Sequence, residues 1–553
     1  MELLKKSGLK NGAVVIFFLT ALFAGGYQDY VAALTGAALL IYIAVIGYKN
    51  RKLSFNVNLT SLSVVVISLF YLVSVLWAVD KGMAFVGFVK FLPVPAFMLI
   101  LMQENTGSDR FIKLLVPFGF AVTLISIPLM FVPYLEGYFS VADRLAGPFQ
   151  YPNVMALFML LCELLVVFKK KYRWLDFFFI AVFIIGIYLT GSRSVFAIGI
   201  AANIAAIFMK RNKKVTLITA CTLLVVAVTV ICLAVFTDIP LFDRLVRFSF
   251  FESTFAGRLL YFRDAVVMIL KRPFGMGYMG YYYMQQSVQT GVYSVNSVHN
   301  GILQFMLDVG IIPALLFLAA VIKGLFSKNI KSEYKLLIAT VFLHLCFDFD
   351  LQFAFIFMTF LLFFNLNEGK KINVNLSLAS VILSLLSLYM GVALSLCGVG
   401  LYKTGLSLYP ANTKALTNLL LACDDINEQY EIGNEILKYN EYVTVAYSAR
   451  ARYFYSKGDF ASVIENKNEI FKKTQFACDE YKEYCYMLIN GISMYSEKSD
   501  SYSARICVNE LIMAYEELSN MNDKLSYFGK IIKDKPDTAL EPEVSEYIEK
   551  LKQ

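Results

Sequence analysis

Charged residues are scarce in this sequence. They make up 17% of the 553 residues, whereas hydrophobic residues make up 58% and the mean hydropathy is +0.61. Such a low charge content excludes a water-soluble globule for most of the chain, because a soluble protein needs more polar surface to face water. The sequence therefore predicts an integral membrane protein.

Long apolar runs recur from the N-terminus to about Tyr402, and about 20 apolar residues suffice for a transmembrane helix. Thirteen spans are predicted, at 13–27, 29–48, 61–79, 83–102, 113–133, 153–168, 174–190, 194–209, 215–237, 299–322, 335–350, 351–366 and 376–401. The predicted fold is all-α: a polytopic membrane domain of about 12–13 transmembrane helices over residues 1–402, followed by an extracytoplasmic helical-repeat domain over residues 403–553.

Basic clusters follow alternate predicted spans, for example Lys49 to Lys52 after the second and Lys210 to Lys214 after the eighth. Lys and Arg stay with cytoplasmic loops during membrane insertion. We therefore expect a cytoplasmic N-terminus, a large extracytoplasmic loop at 238–298 and an extracytoplasmic C-terminal domain. The first span lacks a convincing cleavage site, so we expect it to be a retained helix.

The sequence lacks the usual patterns of metal sites, nucleic-acid-binding surfaces and nucleotide-binding loops. The nine cysteines match no metal-site spacing, and whether Cys423, Cys478, Cys485 and Cys507 pair is left open. No basic-aromatic patch of the nucleic-acid-binding type is present. The glycines between Pro273 and Gly280 follow no strand and precede no Lys-Ser/Thr pair, which argues against a nucleotide loop. We expect no metal, no cofactor and no nucleic acid partner.

The region after Tyr402 differs in composition, with 18 Lys+Arg and 24 Asp+Glu. Within it, residues 445–471 resemble one tetratricopeptide-type helical hairpin, and 411–438 and 479–520 resemble helix pairs. A short solenoid would dock a protein partner or brace the outer loop. Helical hairpins without a partner are the alternative.

Histidine is nearly absent, with two in the chain. His299 follows a polar loop and starts an apolar run, and we expect it to share a helix face with Leu303 and Met306. An unperturbed imidazole titrates near physiological pH, so His299 is a candidate base; a helix-capping role is the alternative. His344 and Asp348 are spaced i, i+4 and are predicted to pair on one helix face, more as a structural clasp than as chemistry.

Arginine gathers in the segments predicted to face outward. Arg193 lies in a tight turn between two spans, and the 238–298 loop contains Arg244, Arg247, Arg258 and Arg263. Positive charge on an outer face runs against the usual distribution, and converging guanidinium groups would bind a diphosphate and stabilise it as it departs. The alternative is that these residues bind anionic lipid.

The sequence resembles the O-antigen ligase and O-antigen polymerase superfamily of bacterial envelope enzymes over about residues 140–366. Four ordered elements carry the resemblance: Gly147 to Ala156, Gly191-Ser192-Arg193, Arg258 through Gly277, and His299-Asn300 with Gln304, Asp308 and Gly310. The position after His-Asn is often aromatic in that family and is Gly301 here, and the acidic residue before the glycine is often Glu and is Asp308 here.

The resemblance implies transfer of a glycan from an undecaprenyl-diphosphate-linked donor to a glycan or lipid acceptor at the outer face of the bacterial cytoplasmic membrane. It implies a metal-independent, inverting reaction, with polymerase and ligase both open. His299, Arg193 and Arg258 are the expected catalytic residues. The expected substrate-binding residues are Arg244, Arg247, Arg263, Asn153, Asn300, Gln304 and Tyr261, and the expected supporting residues are His344, Asp348 and Asp308.

Two other classes of function stay open. A polysaccharide flippase or other transporter would place ionisable residues near mid-membrane and show symmetry between its halves. Here the ionisable residues gather at one predicted face, which favours the enzyme. A non-catalytic membrane scaffold would work through its C-terminal helices instead.

Overall fold

The structure is a computed structural model that describes residues 2–103, 107–210, 228 and 253–552. Its described elements are helices joined by short loops, with two small β-ribbons. The predicted all-α, polytopic membrane fold is confirmed. The ninth predicted span, 215–237, falls outside the described residues, as do Arg244 and Arg247.

Helices occupy each of the other predicted spans. In the first part of the chain they are α1 (Glu2–Leu22), α2 (Asp29–Asn50), α3 (Leu59–Ser74), α4 (Lys81–Phe91), α5 (Pro93–Gln103), α6 (Gly107–Leu129), α7 (Glu136–Phe139), α8 (Pro152–Val167), α9 (Trp174–Leu189) and α10 (Arg193–Lys210). After residue 252 they are α11 (Ser253–Lys271), α12 (Gly280–Val288), α13 (Gly301–Val309), α14 (Ile311–Phe326), α15 (Ser332–Leu345), α16 (Ala354–Leu361) and α17 (Ser377–Gly398).

Four described segments are long and apolar enough to cross a membrane by themselves: Asp29–Asn50, Lys81–Gln103, Ser108–Leu129 and Ser377–Gly398. Several shorter apolar helices, such as α8, α9 and α14, pack among them. Helix α8 is buried along nearly its whole length. A helix that is apolar on every face is surrounded by either lipid or other helices. Because α8 is buried within the protein, it is an interior helix of the bundle.

Two predicted spans are interrupted. Residues 83–102 form α4 and α5, which meet at Pro93, and residues 299–322 form α13 and α14, which meet at Gly310. Gly310 has φ of +92°, a conformation that breaks the helical hydrogen-bond pattern. The expectation of one continuous helix over 299–322 is therefore wrong.

Polar side chains join α2 to α17. Ser384 and Ser387 donate their hydroxyls to the carbonyl oxygens of Ala37 and Ala33, at 3.0 and 2.7 Å. At one end of this helix pair, β1 (Leu53–Val57) runs antiparallel to β4 (Lys370–Val374). Small side chains let the two helix backbones approach closely, as is usual between membrane helices. The ends of α2 and α17 that bear β1 and β4 therefore define one face of the bundle.

A second ribbon pairs β2 (Ser140–Val141) with β3 (Arg144–Leu145), and it precedes α8. The ribbon connects the end of α6 to the start of α8. It places Arg144 beside Asn153, at the end of the bundle where α8 begins.

The C-terminal residues form helices α18 (Tyr402–Leu408), α19 (Thr413–Leu421), α20 (Ile426–Tyr439), α21 (Thr444–Ser456), α22 (Phe460–Lys473), α23 (Cys478–Glu497), α24 (Ser501–Ser519), α25 (Tyr527–Ile531) and α26 (Pro542–Leu551). Helices are thus present where hairpins were expected; the tetratricopeptide-like repeat stays a prediction. Cys423, Cys478, Cys485 and Cys507 are free thiols.

The C-terminal helices rest on the same end of the bundle as residues 273–300. Asn440 donates to the Asp80 carboxylate at 3.0 Å, where Asp80 caps α4. Backbone hydrogen bonds join Gln475 to Gln286 and Ser526 to Thr290, both at 2.9 Å. The C-terminal region is therefore part of the wall around that end of the membrane domain.

Candidate active site

Asp348 is at the centre of the candidate site. It lies in the loop between α15 and α16, and its side chain is fully buried. Tyr151 donates its hydroxyl to the two carboxylate oxygens at 2.9 and 3.1 Å, and Asn153 donates from Nδ2 at 2.5 Å. A buried carboxylate is tolerated when it is paired and hydrogen-bonded. These donors therefore fix the carboxylate in place.

His299 lies beside that carboxylate, with its Nδ1 3.4 Å from Asp348 Oδ1 and 23% of its side chain exposed. A carboxylate next to Nδ1 favours the tautomer with the proton on that nitrogen, which leaves the Nε2 lone pair free to accept another proton. The backbone of His299 has φ of +53°, which is uncommon for a residue other than glycine. Such strain is frequent at functional sites.

Arg258 lies next to the other carboxylate oxygen of Asp348. It lies on α11, its Nη2 is 3.8 Å from Asp348 Oδ2, and 21% of its side chain is exposed. At this distance most of the guanidinium donors are not used by the carboxylate, so they can bind an anion. The structure therefore places Arg258 and His299 at one buried carboxylate.

Arg193 begins α10, directly after the turn at residues 190–192. Its neighbour Ser194 lies 3.1 Å, Oγ to Nε2, from His344, and His344 Nδ1 is 2.7 Å from Asp350 Oδ2. Both His344 and Asp350 are fully buried. This chain of contacts fixes the first turn of α10, and with it Arg193, against the loop that contains Asp348.

The predicted pairing of His344 with Asp348 on one helix face is wrong. Helix α15 ends at Leu345, so the chain leaves the helix before it reaches Asp348. His344 pairs with Asp350 instead, and Asp348 turns toward His299 and Arg258. The i, i+4 rule holds only while both residues remain in the helix.

Arg144 contributes to the site although the sequence did not indicate it. Its Nη2 donates to Asn153 Oδ1 at 2.9 Å and its Nε donates to the Thr190 carbonyl oxygen at 2.6 Å. The residue thus ties the start of α8 to the turn that precedes Arg193. The position of this charged residue just before the Gly147 to Ala156 motif was the sequence signal that could have indicated it.

The expectation that His299, Leu303 and Met306 share a helix face is wrong, because α13 starts at Gly301. Asn300 is its N-cap, accepting from the Ile302 and Leu303 amides and donating to the Cys346 carbonyl oxygen. This cap holds His299 in the loop just ahead of the helix.

Gln304 and Asp308 lie one turn apart on the buried side of α13. Gln304 accepts from the Val298 amide at 3.0 Å and donates to Asp308 at 2.9 Å, and Asp308 also accepts from Tyr71. The amide groups of Gln304 and Asn300 are thus used inside the protein. Both residues shape the loop around His299, and their predicted role in substrate binding stays a prediction.

Tyr261 and Arg263 lie farther along α11. The Tyr261 ring is 4.6 Å from that of Tyr293 and 6.2 Å from that of His299, centroid to centroid. Burial and the Asp534 carboxylate raise the pKa of Tyr261, while the charge of Arg258 opposes the rise. Arg263 donates to Thr290 at 3.2 Å in an exposed position, so it lies outside the cluster around Asp348.

The glycine-rich loop after α11 has a structural explanation. The amides of Met276 and Gly277 donate to the carbonyl oxygens of Leu307 and Asp308, at 2.7 and 3.0 Å. These carbonyls belong to the end of α13, where the helix has no partners of its own for them. A Cβ at Gly275 would stand 2.6 Å from the Gly310 nitrogen. The loop thus caps the broken helix that follows His299.

Within the residues that the structure describes, no group of three or more His, Cys, Asp or Glu side chains forms a candidate metal site. In the comparison with protein families, residues 177–318 match the model of the family described as O-antigen ligase. No curated protein matches the chain significantly. The match bears out the predicted resemblance over residues 177–318, and it supports a role in glycan transfer during assembly of cell-surface polysaccharide.

Proposed function

We propose that this protein, with its O-antigen ligase family segment at residues 177–318, transfers a glycan from undecaprenyl diphosphate to an acceptor hydroxyl at the outer face of the cytoplasmic membrane. In the proposed arrangement, residues 1–402 form the transferase domain and residues 403–553 form an extracytoplasmic domain beside it. The observation that carries the proposal is the convergence of Arg258 and His299 on the buried Asp348 carboxylate.

His299 is the proposed base. As the acceptor oxygen attacks the anomeric carbon, its proton passes to His299 Nε2, and the imidazolium that forms is stabilised by Asp348 next to Nδ1. A new bond forms between the acceptor oxygen and the anomeric carbon while the bond from that carbon to the diphosphate oxygen breaks. Direct displacement of this kind inverts the anomeric configuration.

Arg258 and Arg193 are the proposed ligands of the diphosphate. Negative charge grows on the diphosphate as the glycosidic bond breaks, and guanidinium groups held in advance stabilise that charge more than they stabilise the bound substrate. Two guanidinium groups supply the positive charge that the leaving group needs, so the proposed step is metal-independent. Undecaprenyl diphosphate is released and the lengthened acceptor remains.

The first test is transfer by purified full-length protein in lipid nanodiscs, with a radiolabelled undecaprenyl-diphosphate glycan as donor. Arg258→Ala and Arg193→Ala should each lower the rate by about 10²–10³-fold, since each removes a group that stabilises the transition state. Lys271→Ala is the matched control, because Lys271 is exposed in the last turn of the helix that bears Arg258. It should transfer at the wild-type rate.

If Arg258→Ala, Arg193→Ala and His299→Ala each retained full activity, the proposed enzyme would be excluded. The products also decide between polymerase and ligase: repeated addition to a lipid-linked acceptor is polymerisation, and a single addition to a different lipid is ligation. In either case the new linkage should have the anomeric configuration opposite to that of the donor, measured by NMR.

A further inference from the structure

A polar cavity of about 280 Å³ lies beside the candidate active site. Its walls come from the start of α2, from α4, from the 278–297 segment and from the C-terminal helix α19. Among the residues that line it are Tyr27, Asp29, Tyr278, Ser297, Lys414 and Asn418. Its volume is near the lower end of the about 300–1,000 Å³ usual for ligand pockets.

This cavity lies near His299. Ser297 lines the cavity and stands two residues before His299. The ring of Tyr27, another lining residue, is 6.0 Å from that of Phe349, and Phe349 is 5.1 Å from the His299 ring. The Phe349 ring therefore bridges the cavity wall and the proposed base, so a ligand in the cavity lies near His299.

A buried ion pair forms one wall of the cavity. The Lys90 ammonium donates to the Tyr27 carbonyl oxygen at 2.6 Å, to Asp29 Oδ1 at 2.9 Å and to the Tyr278 hydroxyl at 2.9 Å. All three of its donors are used within the protein. Lys90 thus holds this wall together and has no donor left for a ligand.

Lys414 differs from Lys90, although both face Asp29. Its ammonium is 4.0 Å from Asp29 Oδ2, beyond hydrogen-bonding distance, and its side chain is 52% exposed. Asp29 Oδ2 and the Lys414 ammonium thus form an acceptor and a donor that a hydroxyl-bearing ligand can engage together.

A second cavity, of about 210 Å³, adjoins the same pair. It shares Gln28, Asp29, Lys414 and Asn418 with the first and extends to Tyr402 and Cys397 at the end of α17. Two cavities that share one wall of polar residues suit an elongated ligand. Such a ligand would run from His299, past Lys414, toward the outside of the membrane domain.

The chemistry of the lining fits carbohydrate. Tyrosine rings provide apolar faces for sugar rings, and the carboxylate, ammonium, amide and hydroxyl groups provide donors and acceptors for sugar hydroxyls. Asp29 is already paired with Lys90, so the lining has one lysine charge in excess, and Lys414 suits a hydroxyl or an acidic group of a sugar. We propose that the two cavities bind the terminal sugars of the acceptor glycan, with α19 as a wall of the binding site.

This inference rests on the proposed function for its choice of acceptor, but it can be tested without catalysis. The probe is the oligosaccharide released by mild acid from the cells' own lipid-diphosphate glycan, which retains the sugars and lacks the diphosphate. Its binding to full-length protein in nanodiscs is measured by calorimetry. We expect Lys414→Ala to raise Kd about tenfold, the loss of roughly one charge-assisted hydrogen bond, and Asn418→Ala to raise it several-fold.

Lys438→Ala is the matched control, because Lys438 is 66% exposed on α20 and pairs with Glu435, away from both cavities. It should bind like the wild type. Absence of binding to the wild type, or equal Kd for the wild type and Lys414→Ala, would overturn the inference. If Lys414→Ala binds the oligosaccharide more weakly and the wild type shows no transfer, the acceptor site is supported and the proposed reaction is rejected.

Discussion

The Asp348 carboxylate is fully buried, so neighbouring groups must supply its hydrogen bonds and compensate its charge. Tyr151, Asn153 and the Phe349 amide donate to it, and His299 and Arg258 lie at 3.4 and 3.8 Å. At the scale of single residues, one carboxylate thus orients the proposed base and holds Arg258, the proposed ligand of the leaving group, near it. Its proposed role is positioning and charge stabilisation, without contact to the substrate.

Replacing Asp348 by asparagine tests this role. The amide has nearly the shape of the carboxylate but no charge, so it cannot stabilise the imidazolium that forms during transfer, and kcat should fall by about 10²-fold or more. KM for the donor should change little if the diphosphate contacts survive. Asp143→Asn, at the exposed turn between β2 and β3, is the control and should retain wild-type kcat. Equal kcat in both variants would exclude the role.

At the scale of elements, hydropathy predicted where helices lie but not where they break. The run from 299 to 322 is apolar enough for one span, yet α13 ends at Val309 because the Pro273–Gly277 loop donates its amides to the last carbonyls of that helix. A partner more than 30 residues away in sequence leaves no mark on local periodicity. The early end of α15 was missed for the same reason. Because this helix ends at Leu345, Asp348 lies beside His299 and does not pair with His344.

The close approach of Gly275 to Gly310 makes a second prediction. Gly275 has φ of +86°, and a Cβ there would meet the Gly310 nitrogen at 2.6 Å, so Gly275→Ala should lower stability by about 1–3 kcal/mol. Gly137→Ala is the control, since a Cβ at Gly137 meets no atom within 4 Å. Thermal unfolding in detergent measures both. An unchanged Tm in Gly275→Ala would mean that the loop and the helix break do not fit together as described.

At the scale of the whole molecule, the sequence predicted candidate site residues but not how they meet. Composition and motifs identified His299, Arg193 and Arg258, but the carboxylate that joins two of them is 90 residues from Arg258 in sequence. Lys90 and Asp29 are charged residues within predicted apolar spans, and the sequence analysis did not single them out. Lys90 pairs with Asp29, and Lys414 of the C-terminal helices lies 4.0 Å from the same carboxylate.

The proposed orientation makes a prediction for intact cells. Tyr502 is 78% exposed in the C-terminal region. Lys328 is exposed in the turn between α14 and α15, where its neighbour Asn329 contacts Glu368, close to β4. A membrane-impermeant maleimide should label Tyr502→Cys above the level of the unsubstituted protein in intact cells. It should label Lys328→Cys only after the membrane is opened. The reverse pattern would invert the proposed topology.

The most direct test of the central claim is chemical rescue of the proposed base. His299→Ala protein in nanodiscs should lose transfer, and imidazole added to the buffer should restore part of the rate, because a free imidazole can occupy the space beside Asp348 and accept the acceptor proton. Arg258→Ala should gain nothing from imidazole, since it lacks a ligand of the leaving group. Wild-type transfer by His299→Ala without imidazole would contradict the account.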